Sequence, residues 1–425
     1  MSKTQHKPWT FISSLIFCVA FLLVASAART RADDDALARA KAVLARHPVI
    51  DGHNDLPWAI RENPKAPRDV LAYDLRQRTT GNTDLERLRQ GGVGGQFWSV
   101  YVPAEKVAAK TQLEQIDIAR RVIALYPDRL ALATNAAEVE RAMREGRIAS
   151  LMGMEGGHAI ENSLGALRAF YALGARYMTL THSQTLDWAD SATDAARHSG
   201  LTRFGEEVVR EMNRLGMLVD LSHVSPATME DALRVSEAPV IFSHSSARAI
   251  CDHPRNVPDD VLTALKANGG VVMVTFVTAF ISPELAKASV PLFKEYEERA
   301  KLLKDPKERE ALRKEIQDRM PKVRVTIADV ANHVDHVRKV AGVEHVGLGG
   351  DYDGNDSWPE GLEDVSGYPR LFAELARRGW SDEDLGRLAS GNILRVLRKA
   401  EEVSARLQKA RPASNATIEE LDGPR

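Results

Sequence analysis

The chain is poor in cysteine: 425 residues hold 2, Cys18 and Cys251. Cys18 lies in an N-terminal apolar stretch that reads as a leader. The one thiol left behind it cannot close an intrachain disulfide. No Cys/His spacing of the zinc-finger kind is present, and no short-period repeat. Charge of either sign is not in excess, since 57 Lys and Arg stand against 59 Asp and Glu for a net −2. That balance gives no basic footprint for nucleic acid and no pull toward an anionic partner. No apolar run reaches the ~20 residues of a stable membrane span. No G-x-G-x-x-G turn follows the first apolar strand, which weighs against an open dinucleotide-binding sheet.

What is present begins with Lys3 and Lys7, an apolar run from Phe11 to Val24, and the small residues Ala25, Ser26 and Ala27. A positive start, an apolar centre and a small-residue site make an export signal, residues 1–27, cut after Ala27. A retained N-terminal anchor is the other reading, and only that reading puts the chain at a membrane. The expected location is outside the cytoplasm, periplasmic or secreted. Cys251 reads as a small, partly buried loop side chain, with a nucleophilic role as the weaker alternative.

Residues 34–48 read as a helix, acidic at its start and closed by Pro48. Apolar runs that end in polar or glycine-rich clusters follow, at 48–53, 93–101, 148–154, 177–181, 217–222, 239–243, 270–276 and 345–350. Amphipathic helical stretches separate them. Eight strands alternating with helices predict an α/β protein, a closed (β/α)8 barrel of the TIM type over 34–409. The charged stretch 284–325 falls between the seventh and eighth strands as a helical insertion, either a solvated hairpin or a lid. The tail 410–425 lacks apolar periodicity and reads as mobile.

In such a barrel, chemistry sits where the strands end. The stretch VIDGHNDLPW, Val49 to Trp58, places Asp51, His53 and Asp55 at every second position, on one face of an extended strand. Inward-facing polar groups are costly unless something meets them. Later strand ends add Glu155 and His158, His182, Asp220 and His223, His244, and Asp351 and Asp353. Four of the 12 histidines, 53, 182, 223 and 244, stand at such ends. Imidazole and carboxylate converging from five or six strands make a metal site with nitrogen and oxygen donors. The set exceeds one tetrahedral shell. A glutamate can bridge two ions about 3.5–4 Å apart, and a shared hydroxide is then the nucleophile.

DGHNDLPW, GMEGG, LTH, DLSHVS, SHSSARAICDHPRNVPDD and GLGGDYDG with PEGLEDVSGYP, in this order over roughly residues 40–400, resemble the membrane dipeptidase (renal dipeptidase) family of metal-dependent hydrolases. The resemblance implies a (β/α)8 barrel with two Zn2+ ions. It puts His53 and Asp55 on one ion, His223 and His244 on the other, and Glu155 between them. It makes His182 the residue that polarises the scissile carbonyl or steadies the tetrahedral oxyanion, and Arg255 the binder of the substrate's C-terminal carboxylate. Asp351, in preference to Asp353, would contact the free amino group and handle the proton. His158 and His345 read as structural, and Asp220 as a packing or hydrogen-bonding residue under the site. The implied activity is hydrolysis of dipeptides with both ends free, including L-D dipeptides, and the resemblance allows a non-covalent homodimer. Animal members bear disulfides and a C-terminal lipid anchor; a lone cysteine and a polar tail give no sign of either.

Two rivals stand beside this reading. One is a barrel amidohydrolase acting on another N-acyl amino acid, a lactone or a phosphoester. Many such barrels carry H-x-H on the first strand and a bridging lysine on the fourth, whereas this chain has H-x-D and a glutamate on the third. The other is a binding protein that kept the barrel and lost activity, against which stands the complete set of expected ligands.

Overall fold

The computed structural model describes residues 33–104, 108–303 and 305–424; the export signal read over 1–27 lies outside them. Among the described residues nine strands carry the fold: β1 (Val49–Asn54), β2 (Val93–Ser99), β3 (Leu130–Leu132), β4 (Ile148–Glu155), β5 (Ala175–Thr179), β6 (Leu218–Asp220), β7 (Ile241–Phe242), β8 (Val271–Val274) and β9 (Val346–Leu348). All pair in parallel, in the order β2-β1-β9-β8-β7-β6-β5-β4-β3. β2 also pairs with β4, from Gly95 opposite Ala149 to Ser99 opposite Gly153, which closes a ring of eight. This is the expected (β/α)8 barrel.

β3 is the strand the sequence did not announce. It takes the edge of β4 at Ile148–Ser150, below the point where β5 takes the same edge at Met152–Glu155. Three residues are too few to show a period.

Period two sorts the core. Ile50, Phe97, Leu151, Tyr177, Leu218, Ile241 and Met273 form one buried cluster in the barrel. Their neighbours Val49, Trp98, Met152, Met178, Val219, Phe242 and Val272 belong to another, under the helices. Both strand faces are thus dry, which is why the strands read as nearly continuous apolar runs.

The helices follow the same logic. Arg203–Leu215 starts where Thr202 accepts the amide of Gly205, a cap of about 1 kcal/mol, and stops at Gly216 with φ +84°. It buries Phe204, Val208, Met212 and Leu215, spaced for one face.

The insertion lies between β8 and β9, as Thr278–Ile281, Pro283–Ala300 and Pro306–Asp318. It is a hairpin clasped by Arg299–Glu315 and Arg319–Glu295 ion pairs, each 2.6 Å at its shortest. Arg313 reaches across to Asp356, in the loop after β9.

The tail is not the loose segment its composition implied. Ile418 is buried in the core, and Ile418–Asp422 is a short helix with a Thr417–Glu420 capping box. Arg168 Nη1 donates to the Ser414 carbonyl (2.8 Å), and Arg203 to that of Leu421. Two apolar residues, Ile418 and the partly buried Leu421, with well-placed arginines hold a segment that has no periodicity to show.

Candidate active site

Asp51 does not share a face with His53 and Asp55. The pairing of β1 shifts between Asp51 and Asn54. Asp51 is turned to the Tyr368 hydroxyl (2.6 Å) and the Gln96 amide (2.6 Å), while His53 faces the barrel mouth. Asp55 follows the strand and stands at the N-cap of Leu56–Arg61, yet its side chain makes no capping bond. Its Oδ2 lies 3.2 Å from His53 Nε2 instead.

Glu155, the last residue of β4, is the centre. Its Oε2 is 3.4 Å from His53 Nε2. Its Oε1 is 3.0 Å from His223 Nε2, 3.5 Å from His244 Nε2 and 3.6 Å from His182 Nε2. His223 and His244 bring their Nε2 atoms to 2.9 Å of one another. Asp351 Oδ1 comes within 3.9 Å of His53 Nε2. Among the described residues three donor groups emerge: His53–Glu155–His244, Glu155–His182–His223 and His53–Asp55–Asp351. Asp353 stays apart, locked to Asn82 by a reciprocal pair of bonds, 2.7 and 3.0 Å.

The electrostatics match a cation site. Burial drives His223 and His244 well below the usual imidazole range, so both are neutral with lone pairs to give. Burial takes His182 down to about 4. On Glu155 burial works upward, but His53, His223 and His182 overcome it and hold the carboxyl well below its ordinary range. Burial lowers His53, but Tyr177, Glu155 and Asp55 outweigh it and carry the ring well above its usual value. Asp351 is raised by burial and by the carboxylates of Asp55 and Glu155, against the pull of His53. His53 Nε2, walled off from solvent, has only the carboxylate oxygens of Asp55 and Glu155 near it, at 3.2 and 3.4 Å, and neither is aligned for a hydrogen bond. Nitrogen and oxygen donors with an orphaned buried imidazole atom among them fit divalent metal.

The backbone is strained where the site is built. His223 has φ +72° and Asp351 φ +63°, at a cost of about 1–2 kcal/mol each for residues with a Cβ. Gly354 passes so close that a Cβ there would overlap Asp55 Oδ2 and lie 2.6 Å from Asp351 Oδ1.

Arg255 is 3 % exposed. It lies 5.2 Å over the Phe280 ring, with 3.4 Å contacts to Ser245 Oγ and the His244 carbonyl. Burial lowers it to about 10, so it keeps its charge at neutral pH. His182 sits beside the Tyr101 ring, centroids 5.0 Å apart. Cys251 is buried, and burial raises its thiol to about 12, which disfavours a nucleophile.

Sequence reasoning missed the groups behind the imidazoles. His53 Nδ1 meets the Tyr177 hydroxyl at 2.8 Å, and the Tyr177 ring fits only because residue 153 is glycine, where a Cβ would overlap it. The two residues are 124 apart in sequence, and nothing local announces the pair. Ser243, against His244 Nδ1 at 2.8 Å, was visible as the neighbour of a candidate ligand.

A parallel barrel with these donors at its strand ends defines a class, the metal-dependent hydrolases. Within it the chain belongs to the membrane dipeptidase family (peptidase family M19), whose profile matches residues 37–411, and it is a metallopeptidase of the dipeptidase type. Dipeptidase 3 of Mus musculus is 43% identical over 373 residues, 86% of this chain and 67% of that protein. Dipeptidase verJ of Clonostachys rogersoniana is 43% identical over 390 residues, 88% of this chain and 90% of that one. A solved metallopeptidase from Rhodobacter sphaeroides, liganded with a phosphinate mimic of the dipeptide L-Ala-D-Ala, superposes with a TM-score of 0.68 at 26% identity, over 83% of this chain and 99% of that one. Among the described residues no helix is long and apolar enough to cross a membrane.

Proposed function

We propose that the chain is an exported dizinc dipeptidase that cleaves the one peptide bond of a dipeptide with free amino and carboxyl ends. The observation that carries this is the position of Glu155. One carboxylate faces His53 with one oxygen and His223 and His244 with the other. His53 and Asp55 would hold one ion, His223 and His244 the second, and Glu155 both. Bound zinc supplies Lewis acidity and brings a water's pKa near 7, so that a nucleophile exists at neutral pH.

The remaining work falls to the chain. Arg255 holds its charge in a dry wall, and a guanidinium grips a carboxylate in two places, which sets both the charge and the length of the substrate. Asp351, across the cluster, accepts a hydrogen bond from the substrate's ammonium, takes the proton that the attacking water gives up and passes it to the leaving nitrogen. His182, neutral and partly exposed, donates to the oxygen that gains charge as the carbonyl becomes tetrahedral. The L-Ala-D-Ala mimic bound by the Rhodobacter sphaeroides enzyme supports tolerance of a D-residue on the carboxyl side.

The test joins metal analysis to a small panel. The secreted enzyme is assayed on L-Ala-L-Ala and L-Ala-D-Ala beside N-acetylated and C-amidated forms, with zinc counted per chain. Two zinc ions and cleavage only of the doubly free dipeptides is the expected result. Turnover of the blocked forms would overturn the end-group roles of Arg255 and Asp351. Fractionation of expressing cells tests export, and light scattering tests the homodimer that the resemblance allows.

A further inference from the structure

Asp220, the last residue of β6, is fully buried, and its side chain bonds to Thr179, Ser222 and Ser243 rather than to a proposed ligand. Its Oδ2 accepts Thr179 Oγ1 at 2.7 Å and Ser243 Oγ at 2.6 Å. Its Oδ1 accepts the amides of Ser222 (3.1 Å) and Ser243 (2.8 Å). The hydroxyl proton of Ser243 is therefore committed to Asp220. Ser243 Oγ can then meet His244 Nδ1, 2.8 Å away, only as an acceptor. An acceptor at that place requires the proton on Nδ1. His244 Nε2 is left as a bare lone pair, aimed at Glu155 Oε1 and His223 Nε2. The serine has little room to do otherwise. Its carbonyl is clasped between Gly52 and Gly349, and a Cβ on either would overlap it.

We propose that Asp220 and Ser243 are positioning residues, a carboxylate–hydroxyl relay that fixes the ring orientation and tautomer of His244 and so prepares it to ligate a divalent ion. The proposal rests on the reading of His244 as a zinc ligand. A carboxylate behind a metal-binding histidine raises its basicity and holds its plane, and losing such a partner costs about 10–100-fold in metal affinity. Here the contact is made through one hydroxyl. Asp220→Asn would reverse the relay. An amide NH2 donates to Ser243 Oγ, the serine proton turns to His244 Nδ1, and the ring must carry its proton on Nε2, where the ion belongs.

The experiment is a zinc titration of the full-length holoenzyme and its variants in chelator-buffered free zinc, with bound metal counted per chain. Ser243→Ala is expected to weaken one of two ions by about 10–100-fold and spare the other. Ser243→Thr, which keeps the hydroxyl, is expected to restore the lost affinity. Asp220→Asn is expected to lose that ion more completely than Ser243→Ala. Wild-type affinity for both ions in Ser243→Ala would overturn the relay. So would equal weakening of both ions without rescue by threonine, the mark of a merely structural defect. A wild-type enzyme that binds a single ion would overturn the two-ion reading instead. Ser243→Ala weakening that ion would still support the relay, and leaving it unchanged would overturn it. If Asp220→Asn does not fold, the alanine and threonine variants decide the matter.

Discussion

Asp51 and Asp220 occupy matching places in the two halves of the site. Asp51 lies under the carboxylate half, where β1 and the loop after β9 bring His53, Asp55 and Asp351. Asp220 lies under the imidazole half, where β6 and β7 bring His223 and His244. Each is fully buried and accepts the amide two residues ahead, Asp51 from His53 at 3.0 Å and Asp220 from Ser222 at 3.1 Å. Beyond that bond they diverge. Asp51 reaches out to Gly350 N (2.7 Å), Gln96 and Tyr368, and so ties the first strand to the last and to the helical shell. Asp220 reaches in, to Thr179 and to the serine behind His244. One aspartate staples backbone and the other addresses a ring. The residue type is the same; the strand face each carboxylate occupies, and so its partners, make the role.

The largest effect is expected where the halves meet. Glu155→Gln removes the carboxylate that both share, and turnover should fall by a factor on the order of 10³ or more, with bound zinc below the wild-type count. Retention of full metal and activity would mean that the halves do not depend on Glu155. The next effects separate the halves. Arg255→Met should lower kcat/KM about 100-fold, in line with ~2–5 kcal/mol for truncating one partner of a buried charge pair. It should also erase the discrimination against C-amidated substrates. Asp351→Asn should do the same for N-acetylated substrates. A crossed result, with Arg255→Met relaxing the amino end, would reverse the assignment.

A smaller change asks whether Asp51 is only a staple. Tyr368→Phe takes one partner from a buried carboxylate, and the urea midpoint should drop by the equivalent of about 1–3 kcal/mol. Zinc affinity should hold. A loss of affinity like that expected for Ser243→Ala would make Asp51 an orienter too, and the contrast would dissolve. The smallest effect lies outside both halves. Burial works against the charge on Glu211, but Arg214 and Arg168 overcome it and hold the carboxyl below its usual range. A depressed carboxyl stabilises the fold fully above the ordinary glutamate range, and that contribution is lost as pH falls through its folded value. Glu211→Gln should therefore lower the melting temperature at neutral pH and flatten its acid decline. An unchanged slope would remove Glu211 from the acid transition.

Much of this was legible in the chain. Eight barrel strands showed themselves because both of their faces are dry, and the candidate ligands showed themselves because His and Asp are conspicuous at the ends of such runs. His53, Asp55, Glu155, His182, His223, His244 and Asp351 do come together in one cluster. Asp51 was misread because period two assumes an unbroken strand, and β1 shifts register after Asp51. β3 was too short to show a period. The docked tail depends on Ile418, Leu421 and distant arginines, which composition does not weigh. Tyr177 and Phe280 act on His53 and Arg255 through space, from remote segments.

Gly153 and Tyr177 cannot drift apart in evolution. A methyl group at 153 would occupy the volume of the tyrosine ring, so any gain of a side chain there requires a smaller residue at 177. The smaller residue would leave His53 Nδ1 without its hydroxyl. Neither first step is neutral, and the two positions, on neighbouring strands, are expected to vary together or not at all across descendants of this barrel.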